Sequence, residues 1–242
     1  MKGAQPSAGC AIILAGGLGT RLREAIPDIP KPMAPVGGRP FLEHQLDFWI
    51  ASGISRFILS VGYRREAIIS HFGSRYRDAS IDYAIEEVPF GTGGGLLKAA
   101  ALLDEFEPFL LLNGDTYFDV SLQEFQDFHD SRNADLSVAL FRAPQANRYG
   151  RAELDANRRL KKLASAMAQA GELANGGVYR LSGRVLHPWA KDGCRPISLE
   201  TEILPGMLAR GMALYGMESP GRFLDIGVPD DYSRAPATIG KT

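Results

Sequence analysis

The chain has no apolar run near the roughly 20 residues that a membrane-spanning helix needs, so a helical membrane anchor is excluded. Cysteine is scarce: Cys10 and Cys194 are the only two, and their separation fits neither metal-ligand nor redox-pair spacing. A disulfide scaffold is therefore excluded, a reduced cytoplasmic compartment is expected, and each thiol reads as a small buried hydrophobe. Charge of one sign is lacking as well. With 27 Lys and Arg against 28 Asp and Glu, the net charge of −1 leaves no electrostatic footprint for nucleic acid. The four histidines, His44, His71, His129 and His187, show no metal-ligand spacing and read as surface or packing residues. The polar opening, residues 1–9, lacks the apolar core of a signal peptide, because the apolar stretch after it carries a glycine turn.

What is present is ordinary for a water-soluble chain: 242 residues, 45% of them hydrophobic, enough for one large α/β domain. Residues 12–15, 57–61, 81–85 and 109–112 read as short buried strands. Between them, residues 41–52, 64–72 and 94–103 have helical spacing. That alternation implies a mainly parallel sheet with helices on both faces, whose function gathers at the strands' carboxyl ends. After Asp135 the pattern changes. Residues 136–141, 151–154, 160–163 and 178–181 read as mixed or antiparallel strands, 199–208 as a helix, and 214–217 and 222–224 as final strands. No repeat, low-complexity tract or long linker divides the chain. The expected layout is a tail at 1–9, one domain at 10–233 and a frayed tail at 234–242. Within the domain, residues 10–134 form the first half, and 135–233 supply a second wall to the same cleft.

The densest chemistry lies at the start. An apolar run from Cys10 through Leu14 and Ala15 ends in Gly16-Gly17-Leu18-Gly19-Thr20-Arg21-Leu22, and Lys31 follows between two prolines. Gly16, Gly17 and Gly19 let backbone N–H groups approach a polyphosphate, and Thr20 adds a hydroxyl donor. Arg21 is a fixed fork for phosphate oxygens, and the prolines stiffen the backbone that aims Lys31. A dinucleotide turn fails here. Counted from Gly17 and Gly19, its third small residue would be Leu22, and no acidic residue ends a second strand about 20 residues on.

Three further segments follow strands. In Glu86-Glu-Val-Pro-Phe-Gly-Thr-Gly-Gly-Gly95, residues 91–95, with Gly91 and Thr92 leading, read as a backbone-exposing loop against a flat base. Glu86 or Glu87 beside it can accept two hydrogen bonds from a guanine edge, whereas uracil and thymine offer one donor there. Asn113-Gly114-Asp115 ends a buried strand, and Asp225 ends a later one before Gly227. Two such carboxylates are the protein's usual share of a Mg²⁺ site completed by substrate phosphates.

In this order, the segments at 15–22, 30–33, 91–94, 113–115, 175–179 and 225–227 resemble the sugar-1-phosphate nucleotidyltransferases. The resemblance runs from about Cys10 to Tyr232, and residues 27–42 resemble the heptose 1-phosphate guanylyltransferases within that family. It implies a GT-A-like, Rossmann-like single domain with Mg²⁺ as cofactor and GTP and a sugar 1-phosphate as substrates. It also implies roles. Arg21 and Lys31 stabilise the reacting phosphate, and Asp115 and Asp225 hold the metal. Leu14, Ala15, Gly16, Gly17, Gly19, Thr20, Glu87, Gly91, Thr92, Asn113 and Gly114 bind the nucleotide, while Gly150, Asn175, Gly176, Arg195 and Glu200 bind the sugar. Homo-oligomers are common in the family, so a homodimer is compatible with it.

One departure stands out. Many relatives carry a Glu-Lys pair before the Asn-Gly-Gly segment, where this chain has Ser165 and Ala166. Lys161, Lys162 or Arg195 replaces that lysine, or the sugar phosphate is held more loosely. Alternatives to heptose with GTP are mannose 1-phosphate with GTP, a hexose 1-phosphate with UTP or dTTP, and a non-catalytic nucleotide- or sugar-sensing protein.

Overall fold

The structure, a computed structural model, describes residues 9–17 and 29–239. Strand β1 (Gly9–Leu14) is apolar on both sides because both are covered. Cys10 and Ile12 enter one hydrophobic layer, and Ala11 and Ile13 the opposite one. Such a strand reads as a continuous run rather than an alternation. Burial pushes the Cys10 thiol up to about 12, aided by the nearby Glu107 carboxylate, which makes it the inert hydrophobe expected.

A small hairpin, β2 (Pro35–Val36) and β3 (Arg39–Pro40), leads into helix α1 (Phe41–Ala51). Then come β4 (Ile54–Val61), α2 (Arg65–Phe72), β5 (Arg75–Tyr76), β6 (Ala79–Ile85), α3 (Gly91–Ala100) and β7 (Pro108–Asn113). β1 pairs in parallel with both β4 and β7, and β4 in parallel with β6. The chain thus leaves β1 on one side and returns on the other. A crevice opens at such a reversal, at the strands' carboxyl ends.

The second half contains β8 (Thr116–Phe118), α4 (Leu122–Ser131), β9 (Leu136–Arg142), β10 (Gly150–Leu154), β11 (Leu160–Met167) and β12 (Leu173–Ser182). It ends with α5 (Leu204–Ala209), β13 (Leu214–Glu218), β14 (Phe223–Asp225) and α6 (Pro229–Ile239). β12 runs antiparallel to β7, which makes one 10-stranded mixed sheet of both halves, as the strand pattern implied. Helices α1, α2 and α4 cover one face; α3 and the segments after β12 cover the other. Among the described residues, no helix is long and apolar enough to cross a membrane.

The helices at residues 122–131, 199–209 and 229–239 add to the sequence reading or correct it. The helix expected over 199–208 is present, as a π turn (Leu199–Ile203) that runs directly into α5 with Pro205 in the first turn of α5. Helix α4, which contains His129, was given no bounds in the sequence reading, although Ser121 caps it by accepting from Glu124 N, an S-x-x-E start signal. Residues 234–239 are not a frayed tail. They complete α6, burying Ala235 and Ile239, and Pro236 within that helix disguises its pattern.

Helix α6 belongs to a third, smaller core. Val36 of the hairpin, Phe41 of α1, Tyr117 of β8, Leu224 of β14 and Ile239 of α6 pack together there. At roughly 1.5–3 kcal/mol for each large side chain fully buried, this cluster fastens the hairpin, β8 and β14 to one another. Lys31 and Asp115 stand just before the hairpin and β8, and Asp225 ends β14.

Candidate active site

A cleft of about 550 Å³ opens at the carboxyl ends of β1, β4 and β7, within the size range of small-molecule sites. Leu14, Ala15, Gly16 and Gly17 form its floor, and Asn113, Gly114 and Asp115 one side. The floor and that side are tied by backbone: Gly114 N donates to Leu14 O at 3.0 Å, and Ala15 N to Ser60 O at 2.8 Å. A Cβ on Gly114 would collide with the Leu14 carbonyl, so the close approach itself demands glycine. Gly19, Thr20 and Arg21 lie outside the described residues.

Lys31 begins a single 3-10 turn (Lys31–Met33) that Pro30 precedes. Its side chain is 9% exposed, and Nζ lies 2.5 Å from Asp115 Oδ2 and 3.8 Å from Asp225 Oδ1. The two aspartates meet because β8 and β14 pair antiparallel, with Asp225 opposite Thr116. Ile226 N donates to the Asp115 carbonyl at 3.0 Å, and Gly227 N to Asp225 Oδ1 at 2.7 Å. Two carboxylates against one ammonium leave one negative charge, on hard oxygen donors. That donor set suits a small divalent cation accompanied by phosphate oxygens.

The opposite side comes from Glu86, Pro89, Gly91 and Thr92. Of the two adjacent glutamates, Glu86 faces the cleft. It accepts from Ser60 Oγ at 2.8 Å and from Phe90 N at 3.0 Å. Glu87, expected to bind nucleotide, points away, 71% exposed and 3.0 Å from the Arg65 guanidinium. Successive residues at a strand end face opposite ways, which decides between them.

The glycines at 91–95 also behave differently from the expectation. Gly91 and Thr92 line the cleft, whereas Gly93, Gly94 and Gly95 are buried inside α3. Gly93 N and Gly94 N donate to the Ile197 carbonyl at 2.9 and 3.2 Å, and a Cβ on Gly91 would sit 2.7 Å from that oxygen. Gly91, Gly93 and Gly94 thus admit residues 195–199 against the helix, whereas a Cβ on Gly95 would meet Ser60 Oγ at 2.7 Å and Glu86 Oε1 at 2.9 Å.

That contact brings in the second half. Glu200 reaches the cleft and accepts from Thr92 Oγ1 at 2.7 Å and Ser198 Oγ at 3.2 Å. Asn175 and Gly176 lie on β12 behind this wall and are not among the cleft-lining residues. Asn175 Nδ2 donates to the buried Tyr179 hydroxyl at 2.7 Å, and Asn175 Oδ1 accepts from Gly177 N at 3.0 Å. Burial pushes the Tyr179 phenol well above its usual range, with the Glu200 charge adding to it. Gly150 pairs with Met167 at the end of the β10–β11 ladder, away from the cleft. Arg195 pairs with Glu202 at 2.8 Å, beside Glu200, and Lys162 with Glu153 at 3.6 Å on β10. Ser60 and Pro89 line the cleft without having been singled out, and Pro32, expected only to stiffen the backbone at Lys31, lines it too. Ser60 carries a legible signal, since it stands at the carboxyl end of an apolar strand.

Comparison with known proteins decides the family. Residues 10–242 match the nucleotidyl transferase family. The chain belongs to it. The transferase is 38% identical over 225 residues to the D-glycero-alpha-D-manno-heptose 1-phosphate guanylyltransferase of Aneurinibacillus thermoaerophilus, covering 93% of this chain and 96% of that protein. It is 33% identical to the mannose-1-phosphate guanylyltransferase of Mycobacterium tuberculosis, covering 95% of this chain but 64% of that protein. Among solved structures, HddC from Yersinia pseudotuberculosis complexed with GMP-PN superposes with a TM-score of 0.82 at 31% identity, covering 95% of this chain and 98% of that one.

Proposed function

We propose that this nucleotidyltransferase moves GMP from GTP onto D-glycero-α-D-manno-heptose 1-phosphate, giving GDP-heptose for surface polysaccharide, and pyrophosphate. The observation that carries this reading is the match to a heptose 1-phosphate guanylyltransferase over 96% of that protein's length. The mannose-1-phosphate guanylyltransferase of Mycobacterium tuberculosis is matched at 33% identity, over 64% of its length.

The chemistry is an in-line displacement. A phosphate oxygen of the sugar 1-phosphate attacks the α-phosphorus of GTP, the α–β phosphoanhydride bond breaks, and pyrophosphate leaves with the electron pair. No protein nucleophile is needed, so positioning and charge stabilisation supply the rate. Gly16, Gly17 and Gly114 let the triphosphate lie close to backbone N–H groups. Lys31 stabilises charge on the α-phosphate once substrate draws it from Asp115, and Arg21 is assigned the same task by its place in the motif. Asp115 and Asp225 fit Mg²⁺, which when bound neutralises phosphate oxygens. Glu86 is assigned to the guanine edge in place of Glu87, Glu200 to sugar hydroxyls, and Arg195 to the sugar phosphate that the missing lysine would have held. The nucleoside triphosphate requirement suits the cytoplasm.

The test is pyrophosphate release across a grid of nucleoside triphosphates and sugar 1-phosphates, with Mg²⁺ and with a chelator. Turnover is expected with GTP, lost on chelation and lost in Asp115→Asn. Turnover with UTP or dTTP but not GTP contradicts the guanine assignment, and none with any pair contradicts the enzyme reading.

A further inference from the structure

Helix α1 carries a glutamine whose placement its surroundings do not otherwise require. Gln45 is 3% exposed, in a face of α1 otherwise occupied by Leu42, Leu46 and Trp49. Both hydrogens of its amide are used: Nε2 donates to the Asn113 carbonyl and to the Thr116 carbonyl, each at 2.7 Å. These two carbonyls bracket Gly114-Asp115, the turn between β7 and β8. The same amide's Oε1 is buried with no hydrogen-bond partner among the described residues. A flipped amide would aim that oxygen at two carbonyls, so the orientation is set by the pair of acceptors. An orphaned buried acceptor costs free energy, and a core-facing helix position is ordinarily filled by leucine or methionine without that cost.

The same helix also anchors the lysine segment. Phe41 N donates to the Ala34 carbonyl at 2.9 Å, and the His44 ring lies 2.9 Å from the Val36 carbonyl. Within five residues, then, α1 grips the segment that follows Lys31 and the turn that carries Asp115. A carboxylate on a four-residue turn with a central glycine has few internal restraints. The clamp supplies them from outside.

We propose that Gln45 is a positioning residue that fixes the Asp115 carboxylate relative to Lys31 and Asp225, and so sets the affinity of the site for its divalent cation. This rests on the assignment of Asp115 as a metal ligand. It places a determinant of metal affinity on a helix with no residue among those lining the cleft. A side chain held to catalytic tolerance needs such outside support.

The experiment replaces Gln45 by Met, which keeps the volume and removes both donors. Mn²⁺ binding in the presence of a non-hydrolysable GTP analogue is followed by electron paramagnetic resonance, beside steady-state kinetics and thermal unfolding. The full chain is used throughout. Gln45→Met is expected to weaken Mn²⁺ binding by about tenfold and to lower kcat similarly, while KM for GTP stays within about twofold. Leu46→Ala, on the same helix and fully buried, controls for loss of stability alone. It is expected to lower the unfolding temperature at least as far as Gln45→Met does, with Mn²⁺ affinity unchanged. Wild-type Mn²⁺ affinity in Gln45→Met, or an equal loss in Leu46→Ala, overturns the proposal. Unchanged Mn²⁺ binding in Asp115→Asn overturns the metal-ligand assignment, and the Gln45 proposal with it.

Discussion

Lys31 Nζ lies 2.5 Å from Asp115 Oδ2, which joins two segments 84 residues apart in the chain. Lys31 stands on the turn that enters the hairpin, Asp115 on the turn that leaves β7, and Asp225 approaches the same ammonium at 3.8 Å. In the proposed reaction the cation exchanges these carboxylates for phosphate when a triphosphate arrives.

Replacing Lys31 by Met removes that charge while keeping much of the volume. In steady-state assays kcat is expected to fall by roughly 10²-fold, the scale seen when one preorganised charge-stabilising donor is lost. KM for GTP should change much less. A loss confined to KM would mean that Lys31 only binds ground-state substrate.

Glu86 and Glu87 give a paired test of base recognition. Glu86→Gln replaces one acceptor oxygen by an amide donor, and kcat/KM for GTP is expected to drop by about 10- to 100-fold, the value of one or two charged hydrogen bonds. Glu87→Gln, altering an exposed partner of Arg65, should leave kcat/KM within about twofold. Equal effects of the two substitutions would remove the distinction drawn from the strand end.

His129 is buried between α4 and β9, with Nδ1 3.0 Å from Ser137 Oγ. Burial, and then the Arg180 charge, lower its pKa from 6.5 to about 4, so it stays neutral in the folded chain at neutral pH. The unfolded chain binds the proton first, so this residue's contribution to stability is complete above about pH 6.5 and falls as pH drops toward 4. Urea denaturation should show the wild type losing about 2 kcal/mol more than His129→Gln between pH 7 and pH 5. Identical pH dependences would contradict the assignment of that loss to His129.

Ile239 closes the small core behind the two aspartates. Ile239→Ala is expected to destabilise the chain by about 2 kcal/mol, the lower part of the range for a buried isoleucine, since it lies in the last turn of its helix. Urea denaturation measures it directly. No change would mean that α6 is dispensable to the core that joins β8 and β14.

Much of the cleft was legible because its residues follow apolar strands. Gly16, Gly17, Asn113, Gly114 and Asp115 stand at the ends of β1 and β7, so an apolar run followed by glycine located them. The meeting of Asp115 with Asp225 was not legible. It depends on β8 and β14, two three-residue strands far apart in the chain, whose pairing no local pattern announces. Glu86 could not be separated from Glu87 without knowing which face of the strand end opens to the cleft. Gly93 and Gly94 misled for a related reason: glycine signals close approach but not what approaches, and here it is the Ile197 carbonyl. Helix α6 was hidden by Pro236, although Pro229 followed by Asp230 and Asp231 is an ordinary helix start.

The most direct test of the account compares D-glycero-α-D-manno-heptose 1-phosphate with D-mannose 1-phosphate as acceptors of GMP from GTP, by pyrophosphate release at saturating Mg²⁺. The account predicts a kcat/KM at least about tenfold higher for the heptose, a difference of 1.4 kcal/mol in transition-state binding. Equal or higher kcat/KM with mannose 1-phosphate would contradict it.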